Sequence, residues 1–152
     1  MKKMLVLWAL LIVNVFGFEI VVDETLKQFV RDDSKEVVVD KIRNLMWQDD
    51  ESVKNVKKDW NGAIEYCKNL NFAGFADWRL PSRMELLSIA DKTKVNPAMQ
   101  DGFKNVVFGF YWSNAYFASV SSGAWYVYFV SGNSFYALKV NSRYVRCVRD
   151  NK

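Results

Sequence analysis

The chain has 152 residues, of which 16% are aromatic, and its 21 basic and 17 acidic residues give a formal net charge of +4. It contains no histidine, which excludes a Ser-His-Asp triad, a histidine-assisted cysteine nucleophile and histidine metal ligands. Lys2 and Lys3 carry two of the four net charges, so the rest of the chain gives no indication of nucleic-acid binding.

The first 17 residues have the pattern of a secretory signal peptide. Two lysines precede the apolar run 4–16, and Val15 and Gly17 are small residues at the −3 and −1 positions of a cleavage site before Phe18. The run is shorter than the roughly 20 residues that cross a membrane, and an uncleaved anchor is the alternative. We therefore predict that the protein is exported, either to the periplasm or to the cell surface or exterior. No stable membrane span is expected after cleavage.

Residues 18–28 form an amphipathic lead-in that fits either a strand or an arm, and 29–150 is predicted to form one domain. Runs of branched and aromatic residues predict strands at 29–31, 36–39 and 45–48. The polar stretch 49–58 predicts a surface loop. Its acidic residues 49–51 lack the spacing of a calcium loop, so we expect them to be solvated turn residues.

Two helices are predicted in the middle of the chain. Asp59 can cap a helix that begins at Trp60, and apolar residues at helical spacing place Cys67 on its inner side. Ser82 and Glu85 form an S-x-x-E capping box for a second helix over 82–91.

The last third has the composition of an antiparallel sheet. Strands rich in aromatic and branched residues are predicted at 106–113, 124–130, 135–140 and 143–149. A small-residue loop at 114–123 and turns at 131–134 and 141–142 connect them. A meander that follows two helices predicts an α+β fold.

Cys67 and Cys147 are the two cysteines of the chain. In an exported protein an even pair predicts one disulfide, which would join the first helix to the last strand; two buried free thiols are the alternative. Alternation along that strand places Val145 and Cys147 on one face, with Tyr144 and Arg146 on the other.

Several motifs together resemble one known family. The segment Asp77-Trp78-Arg79-Leu80-Pro81-Ser82 precedes the second helix, and Tyr144-Val145-Arg146-Cys147-Val148-Arg149 ends the sheet. Further resembling segments lie at 44–48, 60–70, 111–114 and 124–127. Over about 29–150 the chain therefore resembles the C-terminal domain family of bacterial collagen-like adhesins (Lcl), formerly a domain of unknown function.

The resemblance implies a fold similar to C-type lectins and sulfatase-modifying factors, with two helices packed on a twisted antiparallel sheet. In lectin-like domains a disulfide joins the first helix to the last strand, which is the link that the two cysteines predict. This chain has no Gly-x-y repeat, so trimerisation through the adhesin's collagen stalk is not carried over. The Glu-Pro-Asn and Trp-Asn-Asp motifs of calcium-dependent lectins are also missing, and we expect no metal and no cofactor.

Two groups of side chains are candidates for ligand binding. Lys54, Lys57 and Lys58 are either a contact for an anionic polysaccharide or a solvated loop. In lectin-like folds the last third usually carries the ligand site, and there we select Asn114, Tyr116, Asn133, Tyr136 and Arg143. Trp125 and Phe129 are expected in the core. A structural role is expected for Trp78, Arg79, Pro81, Ser82 and Glu85, with Trp78 in the core and Arg79 as a hydrogen-bonding centre.

These features predict an exported, non-enzymatic binding or adhesion protein that recognises a surface glycan, a polysaccharide or a protein. One alternative is an enzyme related to the sulfatase-modifying fold, which would need a free thiol or a metal. The other is a structural subunit of an envelope or surface appendage. The sequence leaves the oligomeric state open.

Overall fold

The computed structural model describes residues 27–152, so the predicted signal peptide and nearly all of the lead-in lie outside the described residues. The strands are β1 (Phe29–Asp32), β2 (Val37–Asp40), β3 (Leu45–Gln48), β4 (Lys57–Lys58), β5 (Phe110–Tyr116), β6 (Gly123–Tyr128), β7 (Asn133–Leu138), β8 (Arg143–Tyr144) and β9 (Val148–Asp150). The helices are α1 (Ser52–Asn55), α2 (Trp60–Lys68) and α3 (Arg83–Ser88). This composition confirms the α+β class.

The strands form two sheets, and the expected single sheet is wrong. One sheet has the order β1-β2-β3-β9 and the other has the order β4-β8-β5-β6-β7. The predicted closing strand 143–149 is divided between them, because β8 pairs with β4 and runs parallel to β5, whereas β9 pairs with β3. Val145 and Cys147 still pack in the same core cluster, so the alternation is kept while the hydrogen-bonding partner changes.

Both predicted helix starts are present. The Asp59 carboxylate accepts a hydrogen bond from the Gly62 amide at 2.7 Å at the start of α2. At the start of α3 the Ser82 hydroxyl accepts from the Glu85 amide at 3.2 Å, and the Glu85 carboxylate accepts from the Ser82 amide at 2.7 Å. The helix α3 ends earlier than predicted, and α1 lies inside the predicted loop 49–58. No helix among residues 27–152 has the length and apolar character to cross a membrane.

The predicted disulfide is confirmed. Cys67 on α2 is bonded to Cys147 in the segment between β8 and β9, and both residues are fully buried. The bond therefore joins the helical layer to the point at which the chain passes from one sheet to the other.

Buried side chains form two clusters. One contains Trp47, Leu86, Tyr111, Val127 and Phe129 with their neighbours and packs α3 between the sheets. The other surrounds the disulfide and includes Trp78, Trp112 and Val145. Phe129 thus lies in the core as expected, whereas Trp125 is only half-buried.

The prediction that Asp49 is a solvated turn residue is wrong, because its side chain is fully buried. The carboxylate accepts a hydrogen bond from Arg146 at 2.7 Å, a second one from Arg31, and one from the Lys104 amide at 2.8 Å. Arg146 is itself fully buried. A buried ion pair is tolerated in a protein interior only when its polar atoms are well hydrogen-bonded. The donors around Asp49 meet this requirement for the carboxylate.

The Trp-Arg-Leu-Pro-Ser segment attaches α3 to the last strand. Arg79 donates two hydrogen bonds to Glu85, at 2.8 and 2.7 Å, and its backbone exchanges two with Val148, at 2.9 Å each. Burial raises the pKa of Glu85, but the hydrogen bonds from Arg79 and from the Ser82 amide outweigh burial and hold this pKa below its ordinary value. The Trp78 indole is buried and donates to the Phe72 carbonyl at 3.1 Å. All of these contacts join residues of the same chain.

Candidate functional site

One face of the five-stranded sheet carries a row of aromatic side chains. The register pairs Phe110 with Tyr128 across β5 and β6, and Tyr126 with Phe135 across β6 and β7. Directly paired residues, and residues two apart on one strand, point to the same side of a sheet. We call these four residues the aromatic face. Phe110 and Phe135 are 39% and 47% exposed, and both tyrosines are half-buried.

The rings of the aromatic face contact one another. Phe110 stacks on Tyr128 with ring centroids 4.5 Å apart and meets the edge of Tyr126 at 5.3 Å. The Tyr126 and Phe135 rings lie 6.0 Å apart. Because neighbouring strands are about 4.8 Å apart, the face offers a continuous apolar surface across three strands.

Arg143, on β8, lies against these rings without a charged partner. Its guanidinium carbon is 3.9 Å from the centroid of Tyr126, 4.8 Å from Phe110 and 5.1 Å from the buried Trp112. Among the described residues this guanidinium makes no ion pair and no hydrogen bond, and its Nε is buried without an acceptor. Burial lowers the pKa of Arg143, and the neighbouring Tyr126 opposes this shift only in part.

A guanidinium that lies on aromatic rings without an ion pair or a hydrogen bond is a candidate for binding an anion. Arginine offers five donors in a planar fork that matches a carboxylate, sulfate or phosphate group. Buried polar atoms are nearly always hydrogen-bonded in native proteins. Trp47 Nε1 and Arg146 Nε also lack a partner among the described residues, but the terminal nitrogens of Arg146 have acceptors, whereas no nitrogen of Arg143 has one there. A bound anion would give Arg143 the acceptors that residues 27–152 do not provide.

Further positive charge lies beside Arg143. The register of β4 and β8 places Lys58 directly opposite Arg143, and Lys57 opposite Tyr144. The Lys57 ammonium lies 4.4 Å from the centroid of the Tyr144 ring. Like charges directly opposite each other destabilise a pair of strands. An anion bound between Lys58 and Arg143 would offset that repulsion.

The predicted binding residues do not form one pocket. Arg143 lies against the aromatic face, and Asn133 is paired with Tyr128 at its margin. Tyr116 is paired with Ala124 beyond an irregularity in β5 and is 64% exposed, which puts it at the far end of the same side. Tyr136 points to the opposite side of the sheet, where it stacks on Phe117 with centroids 4.0 Å apart.

Asn114 also lies outside the aromatic face. It is exposed in the irregular part of β5, and its backbone amide donates to the Pro81 carbonyl at 2.8 Å. Phe110 and Phe135 were missed as candidates. Alternation relates residues of one strand only, so no signal in the sequence puts both on the side of Tyr126; the strand register does so.

The opposite side of the sheet carries a second arginine on an aromatic ring. The Arg83 guanidinium lies 3.8 Å from the centroid of Trp125, and its Nε donates to the Ser134 hydroxyl at 3.0 Å. Arg83 thus resembles Arg143 in environment but has a hydrogen-bond acceptor. This difference makes it a matched control for Arg143.

Thiols and metal ligands bear on the enzyme alternative. Both cysteines are joined in the disulfide. Within residues 27–152 no group of three or more acidic or cysteine side chains is arranged to hold a metal ion. The aromatic face and Arg143 offer groups for stacking, cation–π contact and hydrogen bonds from a guanidinium.

The family comparison agrees with the resemblance of the sequence motifs. The family model described as the Lcl C-terminal domain matches residues 36–149. The matched part contains both cysteines, the aromatic face and Arg143. No curated protein matches the chain.

Proposed function

Because the chain belongs to the Lcl C-terminal domain family, we propose that it is an exported adhesion-type binding domain that recognises an anionic polysaccharide through Arg143 and the aromatic face. Arg143, buried at Nε and without an acceptor or a carboxylate among the described residues, is the observation that carries the proposal. We also propose that the fold is C-type-lectin-like, for which the disulfide from α2 to the last strands is the main support.

The arrangement suits an acidic sugar chain for two reasons. Sugar rings have apolar faces that pack on aromatic side chains, and the carboxylate or sulfate groups of an acidic sugar match the guanidinium fork. The exposed Lys58, paired with Arg143 on the same side of the sheet, continues the positive surface, so an extended ligand has a second point of contact.

The proposal excludes catalysis as the primary role, since the proposed site consists of rings and cations. In this proposal Arg143 and Lys58 hold the anion and take no part in a reaction. The engaged cysteines support this assignment because the enzyme alternative needs a free thiol or a metal.

The test is binding of a defined polyuronate and of a neutral glucan of matched length, measured by calorimetry at low and at physiological salt. We expect the polyuronate alone to bind, with affinity that falls as salt rises. Arg143→Gln should weaken binding about ten- to a hundredfold, because a hydrogen bond to a charged group is worth about 1.5–3 kcal/mol.

Arg83→Gln is the control, because it removes an arginine from an aromatic ring on the other side of the same sheet. It should leave polyuronate binding unchanged. Equal losses in the two variants, or equal binding of the neutral glucan, would reject Arg143 as the binding residue.

A further inference from the structure

The four outer strands of the two sheets are protected to different degrees. An outer strand with free backbone groups invites pairing with another chain, and native proteins protect such strands by short length, charge, proline or a covering segment. The strand β4 consists of two exposed lysines. The strand β9 has three residues, including Arg149 and Asp150, and bonds to the Arg79 backbone on its outer side.

The strand β1 is protected as well. It contains Arg31 and Asp32. Gly102 approaches it so closely that a Cβ atom there would lie 3.4 Å from the Phe29 carbonyl oxygen. Among the described strands, β1, β4 and β9 thus each show at least one of the usual forms of protection.

The strand β7 shows none of them. Its six residues include no charge and no proline, and it pairs only with β6 among the described strands. Phe135, Tyr136 and Leu138 are about half exposed, at 47%, 50% and 52%. Since Phe135 points to one side of the sheet and Tyr136 to the other, apolar surface flanks this outer strand on both sides.

We propose that β7 pairs antiparallel with β7 of a second copy of this chain, which joins two five-stranded sheets into one of ten strands. A two-fold axis normal to the sheet joins equivalent sides of the two copies. The side that carries Phe135 in one copy therefore continues into the side that carries Phe135 in the other. An uncharged strand can pair with itself without placing like charges opposite each other.

A second copy fits this strand better than an acidic strand from another protein. The nearby cations are directed away from the outer side of β7. Lys139 donates to the Ser121 carbonyl at 2.9 Å and lies 4.5 Å from the centroid of Trp60, and Arg83 lies on Trp125. An acidic partner would therefore find little positive charge along β7.

The paired sheet would also place two copies of Arg143 on the same side. The strand β8 is three strands from β7, so the two arginines would be seven strand spacings apart, or about 34 Å. Such a dimer could hold two segments of one polymer. The pairing itself does not depend on the proposed function.

The experiment is sedimentation velocity of the folded, oxidised protein from about 5 µM to 1 mM, a range chosen because one pair of short strands buries less than a standard interface. We expect a reversible monomer–dimer equilibrium. Phe135→Lys should make the protein monomeric throughout this range. Ile42→Lys, the same change at a residue that is 71% exposed in the turn of the other sheet, should leave the dimer intact.

Amide hydrogen exchange of the unmodified protein gives a second reading that needs no variant. Residues 133–138 should gain protection as the concentration rises, and the amides of β1 and β4 should not. A monomer at every concentration, a dimer that survives Phe135→Lys, or protection at another outer strand would overturn the proposal. So would protection of β7 in a monomer by an added acidic strand-forming peptide, which would identify a foreign partner. Arg143→Gln should still dimerise, so failure of ligand binding and failure of pairing are separate results.

Discussion

Removing the disulfide should lower the free energy of unfolding by an amount that the loop length sets. Cys67 and Cys147 are 80 positions apart, and closing a loop of that length costs the unfolded chain about 4.5 kcal/mol in the chain-entropy model. Both residues are fully buried, so the double variant Cys67→Ala/Cys147→Ala also loses packing at the centre of a core cluster. We expect a total loss of about 4–6 kcal/mol.

Urea unfolding followed by tryptophan fluorescence measures this loss. The melting temperature should fall by roughly 10–20 °C, from the usual 2–4 °C per kcal/mol for a domain of this size. Reductant should lower the stability of the unmodified protein to nearly that of the variant and should not affect the variant. A loss below about 1 kcal/mol would show that the unfolded chain is not constrained by this bond as the entropy model requires.

Two further predictions concern ionised side chains. Asp49→Asn keeps the shape but removes the charge opposite the buried Arg146, and it should cost about 3–5 kcal/mol in urea unfolding; Asp50→Asn, half-buried beside it, should cost much less. Glu85 has a lowered pKa when folded, so the unfolded state takes up its proton first as pH falls. Its stabilising contribution is present above its ordinary value of 4.5 and disappears as pH drops further. Glu85→Gln should therefore reduce the difference in unfolding free energy between pH 7 and pH 3, and an unchanged difference would contradict this assignment.

Local signals in the sequence predicted the helix starts well. Asp59 and Ser82 cap helices through contacts within three residues, and such contacts depend little on the rest of the chain. The burial of Asp49 could not be predicted in this way. Its partner Arg146 is 97 positions away, and the neighbouring Asp50 and Glu51 give Asp49 the appearance of a solvated acidic turn.

The division into two sheets was missed for a similar reason. Side-chain alternation through Val145, Arg146 and Cys147 is the same whether the chain continues in one sheet or passes to another. Only the hydrogen-bonding partners differ, and those are β4 at one end and β3 at the other. A sequence pattern records which side chains are buried, but it contains no information about which strand accepts the backbone bonds.

The candidate site was predicted in part. Arg143 was selected from the last third of the chain, and the lysines of 54–58 were considered separately. The pairing of β4 with β8 brings Lys58 and Arg143 together although they are 85 positions apart. Phe110 and Phe135 join the site through the register of three strands, and the missing acceptor for Arg143 is visible only when the side chains around it are known.

The pairing of β3 with β9 has a consequence for how the chain is made. Strand β3 ends at Gln48 and its partner begins at Val148, so the first sheet lacks one strand until nearly the whole domain has been synthesised. Trp47 has no Val148 beside it until then, and Cys67 has no second thiol in the chain to bond. The domain therefore cannot complete its fold while residues 148–150 are still inside a ribosome or a translocation pore. The two cysteines of this domain allow one pairing with each other, so its own oxidation needs no later correction.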